Sequence, residues 1–289
     1  MPSVSFEIRD HIAFITLNRP EKLNAFNREM ALLLQNRLDE CASLHEVRAV
    51  YLTGAGKGFS AGQDLAEVVD PNGPPMSRLL AEHYNPIITR IRHLPKPVLA
   101  AVRGVAAGAG ANIALCCDVV VASASASFIQ AFSKIGLIPD SGGTFFLPRL
   151  VGWQRASAIA MLGDRIGAAE AERMGMIYKV FEEGEFEGAT MALASVLAQL
   201  PTKALAYTKH ALNNSAGNSL EAQLLLEDEL QQRAAETKDY AEGVQSFLQK
   251  RPAEFKGEGP PSQQRPLWAA NRITISLCIK VKQPVSSMP

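Results

Sequence analysis

The sequence has no surplus of charge, no long hydrophobic run, few cysteines and no clustered histidines. Each absence closes off a class of function. Lys plus Arg and Asp plus Glu number 29 each in 289 residues, so the formal net charge is +0. A nucleic-acid binder normally carries a basic surplus or stripe, so the expected partner is a small molecule or another protein, with no nucleic acid. The uncharged stretch Gly104 to Cys117 is rich in Ala and Gly, and like every other uncharged stretch it falls short of the roughly 18 apolar residues a membrane span requires. Cys41, Cys116, Cys117 and Cys278 show no CxxC spacing, which reads as reduced thiols and a cytoplasmic location. Met1 to Glu7 lacks the basic and apolar regions of a secretory signal. His11, His45, His83, His93 and His210 are scattered without ligand spacing, so no metal site is expected. No dinucleotide fingerprint follows the first strands, and Gly56-Lys57-Gly58 lacks the spacing of a P-loop.

What remains is ordinary globular material, 47% apolar and 20% charged, long enough for one large or two small domains. Phe6–Ile8 and His11–Leu17 flank Arg9-Asp10 and predict an opening hairpin. Phe26, Met30, Leu33, Leu34, Leu38 and Cys41 fall at helical spacing, with Asn24 or Asn27 available as N-cap. Strands are predicted at Val47–Thr53, Val98–Val102 and Asp118–Ala122, with a helix over Met76–His93. From about Gly152 strand signals stop, and helices fill Gln154–Leu162, Ala168–Gly175, Phe186–Leu200, Thr202–Asn213, Leu220–Glu236 and Asp239–Lys250. The pattern implies an α/β core with a helical C-terminal part. No internal sequence repeat is visible. The last 33 residues, from Gly257, hold five of the 17 prolines and four cations against one anion. They read as a disordered extension rather than a basic contact arm.

Gly58-Phe59-Ser60-Ala61-Gly62 matches the G-x-S-x-G of serine hydrolases, and Asp118 or Asp140 with His210 would complete a triad in order. An elbow serine ends a strand, yet the strand here is expected to end near Thr53, so the match is set aside. Two glycine-rich loops, Gly58–Leu65 and Gly104–Asn112, each follow a buried strand. Such loops either aim two N–H donors at one oxygen, forming an oxyanion hole, or are tight turns packed closely. Asp140 stands among apolar residues ahead of Gly142-Gly143. It is either the N-cap of the next helix or a base whose pKa burial raises.

Taken together, Arg19–Ala25, Phe59–Leu65, Val105–Asp118 and Gly136–Arg149 resemble the crotonase (enoyl-CoA hydratase/isomerase) superfamily, over about Val4 to Lys256. The resemblance implies a spiral of ββα units over residues 1–200 and a C-terminal helical region, 201–256, that assembles trimers, often as hexamers. The chemistry it implies is stabilisation of an acyl-CoA enolate, with CoA carried by the substrate and no separate cofactor. Carried over by position, the oxyanion donors would be the N–H groups of Ala61 and Ala109, and Asp140 the acid/base group. Lys22, Ala61, Gly62, Gln63, Asp64, Leu65, Gly108 and Ala109 would contact the CoA thioester. Hydratases of the family use two glutamates at positions held here by Asn112 and Phe132, and neither side chain passes protons. That departure, with Gln130–Leu137, Asn218–Gln223 and Asp239–Val244, is similar to the branch that isomerises 1,2-epoxyphenylacetyl-CoA to its oxepin form. The alternatives are a Δ3,Δ2-enoyl-CoA isomerase or hydratase, and a non-catalytic acyl-CoA-binding protein.

Overall fold

The structure is a computed structural model, and it describes residues 1–71 and 73–258. Cys278 and all but the first two residues of the expected tail lie outside the described residues. Among the described residues ten strands run β1 Val4–Arg9, β2 Ile12–Leu17, β3 Ala49–Gly54, β4 Gly58–Ser60, β5 Val98–Val102, β6 Val105–Ala107, β7 Val119–Ser123, β8 Ser127–Ile129, β9 Arg165–Gly167 and β10 Lys179–Phe181. The α-helices are α1 Arg28–Ser43, α2 Leu65–Val69, α3 Met76–Arg78, α4 Asn85–His93, α5 Ala109–Leu115, α6 Gly143–Val151, α7 Trp153–Leu162, α8 Ala168–Arg173, α9 Phe186–Gln199, α10 Thr202–Ser215, α11 Leu220–Ala235 and α12 Lys238–Gln249.

Two sheets carry the fold. A six-stranded sheet has the order β1-β2-β3-β5-β7-β10, and a four-stranded sheet has the order β4-β6-β8-β9. Three successive units place one strand in the large sheet, the next in the small sheet, and then a helix: β3-β4-α2, β5-β6-α5 and β7-β8-α6. This is the expected ββα spiral, a structural repeat without a sequence repeat. Within the large sheet all pairings are parallel except the β1–β2 hairpin. The hairpin turns at Asp10-His11, one residue later than expected, and both residues have positive φ. That is the two-residue turn whose twist matches a hairpin, and Asp and His tolerate it better than Arg9.

β5 shows how sequence becomes packing. Every residue in it is buried, as a central parallel strand requires. Val98, Ala100 and Val102 face a core shared with α1, α4 and α5, whereas Leu99 and Ala101 face Phe186, Ala194 and Ala198 of α9. Each Val or Leu side chain so buried is worth about 1.5–3 kcal/mol.

The helix expected over Met76–His93 forms, but a π turn, Leu79–Tyr84, interrupts it. The helices after Gly152 lie where the periodicity puts them, within a few residues. Strands β9 and β10 were not expected there. At three residues each they are too short for a pattern, and they exist by pairing with β8 and β7. Two buried cations tie the late helices to the sheet. Lys209 of α10 meets Asp118 at 2.7 Å, and Arg48, just before β3, donates to the Leu200 and Phe255 carbonyls and to Thr202. Asp239 accepts from the Lys256 and Gly257 N–H groups. Among the described residues no helix is long and apolar enough to cross a membrane.

Candidate active site

The parallel strands β4, β6 and β8 end side by side, and each is followed by a segment that the sequence singled out. The carboxyl ends of parallel strands are where open sheets present loops to ligands.

After β4 comes Ala61-Gly62-Gln63-Asp64. The Ala61 N–H donates to the Leu23 carbonyl at 2.9 Å, so the expectation that it meets a ligand oxygen is corrected. Phe26 donates to the Gly62 carbonyl (2.7 Å) and accepts from the Asp64 N–H (2.8 Å). In a parallel bridge of this kind the residue between those two turns its own N–H and C=O to the other side. That residue is Gln63, whose N–H has no acceptor among the described residues. The donor in this loop is therefore two positions later than expected. Nothing in the sequence distinguishes the two, because the choice is made by pairing with Phe26, 37 positions earlier.

After β6, Gly108 at φ +53 turns the chain into α5, and Ala109 is the first helical residue. Its N–H is one of the groups a helix start leaves unpaired, and it too has no acceptor among the described residues. The two loops touch at Gly62: a Cβ there would lie 2.9 Å from the Ala107 oxygen and 3.5 Å from the Ala109 nitrogen, at φ +92. Small residues let two N–H groups from separate strands sit beside one another.

After β8 the chain passes through Phe132 to Asp140. Ser141 and Gly142 both take positive φ, and the reversal ends at α6, whose N-cap is Gly142 without a side-chain bond. Asp140 is therefore not a helix cap. It is half-buried and makes no ion pair with a described residue. Burial raises its carboxyl above the usual range, although the Ser141 hydroxyl, 2.8 Å away, pulls the other way. Asn112, on α5 and buried, donates to the Asp140 carbonyl at 2.8 Å and accepts from Gln130 at 2.7 Å. Gly143 leaves room for it, since a Cβ there would meet the Asn112 amide at 2.4 Å. Asn112 and Phe132 thus hold the positions named for them as buried packing and tethering groups.

The remaining expected residues divide. Asp64 caps α2 and pairs with Arg19 at 2.9 Å. Burial pushes its carboxyl up, but the Arg19 and Ala66 hydrogen bonds and the nearby Lys22 charge outweigh that and hold it low. It is spent on holding the loop. Lys22, on the 3-10 turn Pro20–Lys22, and Leu65 are exposed at the rim. Asn24 does not cap α1; Asn27 does. Asn24 is instead buried, bonding Arg19, Ala55 and Gly58.

Ser60 is excluded as a nucleophile on new grounds. It does end a strand, β4, contrary to expectation. Its hydroxyl is fully buried and donates to the Asn24 carbonyl at 2.8 Å. Asp118 is engaged by Lys209 and Arg92, and His210 lies in α10. Among the described residues no group of three or more His, Cys, Asp or Glu side chains is arranged to hold a metal.

Residues 7–258 match the model of the enoyl-CoA hydratase/isomerase family. The chain is 44% identical over 261 residues to the 1,2-epoxyphenylacetyl-CoA isomerase of Escherichia coli, covering 89% of this chain and all of that one. It is 46% identical to a "probable enoyl-CoA hydratase" of Rhodobacter capsulatus, covering 88% and 98% of the two chains. Among solved structures, an enoyl-CoA hydratase from Bacillus anthracis superposes with a TM-score of 0.82 at 33% identity, over 89% of this chain and all of that one.

Proposed function

This chain belongs to the enoyl-CoA hydratase/isomerase family, whose members act on CoA thioesters, and on that premise we propose that it isomerises an acyl-CoA, with 1,2-epoxyphenylacetyl-CoA as substrate and the oxepin form as product. The N–H groups of Gln63 and Ala109 hold the thioester oxygen and stabilise the negative charge that gathers there as carbon 2 loses a proton. Asp140 takes that proton and returns it at another carbon; in the ring epoxide the carbon–carbon bond bridged by the oxygen breaks and its electron pair joins the shifting double bonds, so the oxygen stays in the widened ring and the mass does not change. Its raised pKa suits the task, because a base closer to the working pH also serves as the acid that gives the proton back. Lys22, Leu65 and the Gly108 turn lie along the CoA moiety.

The observation that carries this reading is Asp140: a half-buried carboxyl without a cation among the described residues, tethered through its own backbone to Asn112 of the helix that Ala109 opens. A protein that merely bound acyl-CoA would have no use for it. Water addition needs a second group to activate water, and Asn112 and Phe132 offer none. The substrate assignment draws on the resemblance to the E. coli isomerase, the straight-chain 3-enoyl-CoA being the other acyl group such a base would serve. A panel of the ring epoxide, a 3-enoyl-CoA and crotonyl-CoA, with products read by mass and ultraviolet spectrum, tests both points. Isomerisation leaves the mass unchanged, and a gain of ~18 mass units from crotonyl-CoA at a comparable rate would overturn the assignment of Asp140 as sole acid/base.

We extend the proposal to assembly and location. Leu224 and Leu225 of α11 and Phe247 and Leu248 of α12 are exposed by 54%, 72%, 84% and 74%. Apolar surface of that kind is normally covered by a partner, here a second copy, in a trimer or a dimer of trimers built through residues 201–256. The thiols of Cys41, Cys116 and Cys117 are buried and unpaired, in keeping with the cytoplasm.

A further inference from the structure

Tyr84 has no task in the chemistry above, yet it is 2% exposed and, among the described residues, the bulkiest of the fully buried side chains. It ends the π turn Leu79–Tyr84, a wide turn that often marks a functional position in a helix. The turn is held from outside: Gln35 of α1 donates its amide to the Glu82 carbonyl at 2.8 Å and to the His83 carbonyl at 3.3 Å.

From there the Tyr84 hydroxyl donates to Gln63 Oε1 at 2.6 Å. Gln63 Nε2 donates to Glu67 Oε2 at 2.9 Å and to the Asp64 carbonyl at 3.2 Å. The other Glu67 oxygen accepts from the Arg28 N–H at 2.8 Å. Both ends of the Gln63 side chain are therefore held, by groups from three separate elements. The Tyr84 ring also packs edge-on against Phe26, centroids 6.1 Å apart. Phe26 is the residue whose backbone bonds Gly62 and Asp64 on either side of Gln63. The phenol stays a donor: burial raises it well above its usual value, and the nearby carboxylates of Asp140, Glu67 and Asp64 push the same way.

We propose that Tyr84 is a positioning residue: it clamps the Gln63 side chain through its hydroxyl and the Phe26 edge through its ring, and so fixes the direction of the Gln63 N–H at the thioester oxygen. The inference rests on the acyl-CoA reading above. It adds a residue that touches neither the reacting carbons nor CoA, and it predicts an effect on polarisation rather than on binding.

The test uses the full chain as Tyr84→Phe, Gln63→Leu and the double variant, with phenylacetyl-CoA as a thioester that can be held without turnover. Bound to the wild-type protein, its carbonyl stretch in difference infrared spectra should move to lower wavenumber than in water. In Tyr84→Phe the stretch should move back toward the free value with affinity little changed, and kcat on the ring epoxide should fall roughly 10- to 100-fold, since misplacement by an ångström can cost about 10²-fold. Gln63→Leu should do the same, and the double variant should be no worse than either single, because Tyr84 then has nothing left to hold. Should Tyr84→Phe not fold, Gln63→Leu cuts the same bond from the half-buried side.

A wild-type stretch retained in either single variant overturns the positioning role alone. Losses that multiply in the double variant overturn it too, and would put Tyr84 on the substrate itself. A wild-type protein that binds the thioester without moving its carbonyl stretch defeats the acyl-CoA reading, and this inference with it.

Discussion

The two sheets are built on opposite principles. The large sheet is apolar and redundant: Val50, Leu52, Val98, Leu99, Ala100 and Val121 are wholly buried among other aliphatic groups, and its strands pair over up to six residues. The small sheet has strands of three residues. Its surroundings bury Asn24, Ser60, Asn112, Gln130 and Ser141. Apolar packing is forgiving, since volume can be redistributed, whereas a buried polar network holds only if its members find partners. The molecule thus keeps its stability in one layer and its geometry in the other. Mutations in the two layers should fail in different ways.

The largest effect should come from Asp140→Asn. The amide keeps the size and the Ser141 bond but cannot accept a proton, so kcat should drop by ~10²–10⁴ with thioester affinity kept. Stability should move the other way. The folded-state pKa of Asp140 is raised, so protonation favours the fold, and that contribution is lost as pH rises through the folded value. The amide removes the cost of the buried charge. Tm should therefore increase near neutral pH, and the gain should vanish below the unfolded carboxyl pKa of about 3.9. For the same reason the acidic limb of the wild-type kcat/KM profile, which reports the free enzyme, should lie above the ordinary carboxylate range. Equal Tm at pH 7, with most of the activity retained, would return Asp140 to the architecture.

Gly62→Ala comes next. A Cβ at φ +92 meets the Ala107 oxygen at 2.9 Å, which should part the two loops. We expect kcat to fall about 10²-fold with a stability loss of about 1–3 kcal/mol from the strained backbone. Leu99→Ala should be the mirror image, a loss of about 2–5 kcal/mol in denaturant unfolding with kcat unchanged in the folded fraction. If the first leaves kcat intact, or the second abolishes it, the division between the layers is wrong.

The smallest effect concerns the end of the described chain. The family match stops at residue 258, and Asp239 still grips the Gly257 N–H at 2.9 Å. Ending the chain after Glu258 should leave Tm and kcat as they are. Ending it after Lys256 should cost up to about 1.5–3 kcal/mol, the worth of one hydrogen bond to a charged group, with kcat unaffected. Unequal activities of the two truncated chains would break this expectation.

Much of this architecture is legible in the residues. β5 announces itself as an unbroken apolar run, and α1 by the spacing of Met30, Leu34, Leu38 and Cys41. What is not legible is decided by contacts across the fold. Strands β9 and β10 exist only through their neighbours. The hydrogen of Ala61 is consumed by Leu23 and that of Gln63 is not, a difference invisible in Ala61-Gly62-Gln63. Asp140 could be singled out as a lone carboxyl ahead of two glycines. Its tether Asn112 could be noticed only as a departure from the family pattern, and Tyr84 could not be found, because its partner lies 21 positions away.

Arg48 carries a consequence for how the chain is made. Its guanidinium is satisfied by Leu200, Thr202 and Phe255, between 152 and 207 positions downstream. Synthesis runs from the N-terminus at about 5–20 residues per second, so β3 emerges roughly ten seconds or more before its cation can be covered. During that interval the residue has to stay hydrated, and the nascent sheet has an open polar seam beside its most apolar strands. The native state is therefore sealed only after Phe255 has been made. A ribosome stalled before Phe255 would hold a sheet whose first strands are complete and whose closing contact has not yet been made.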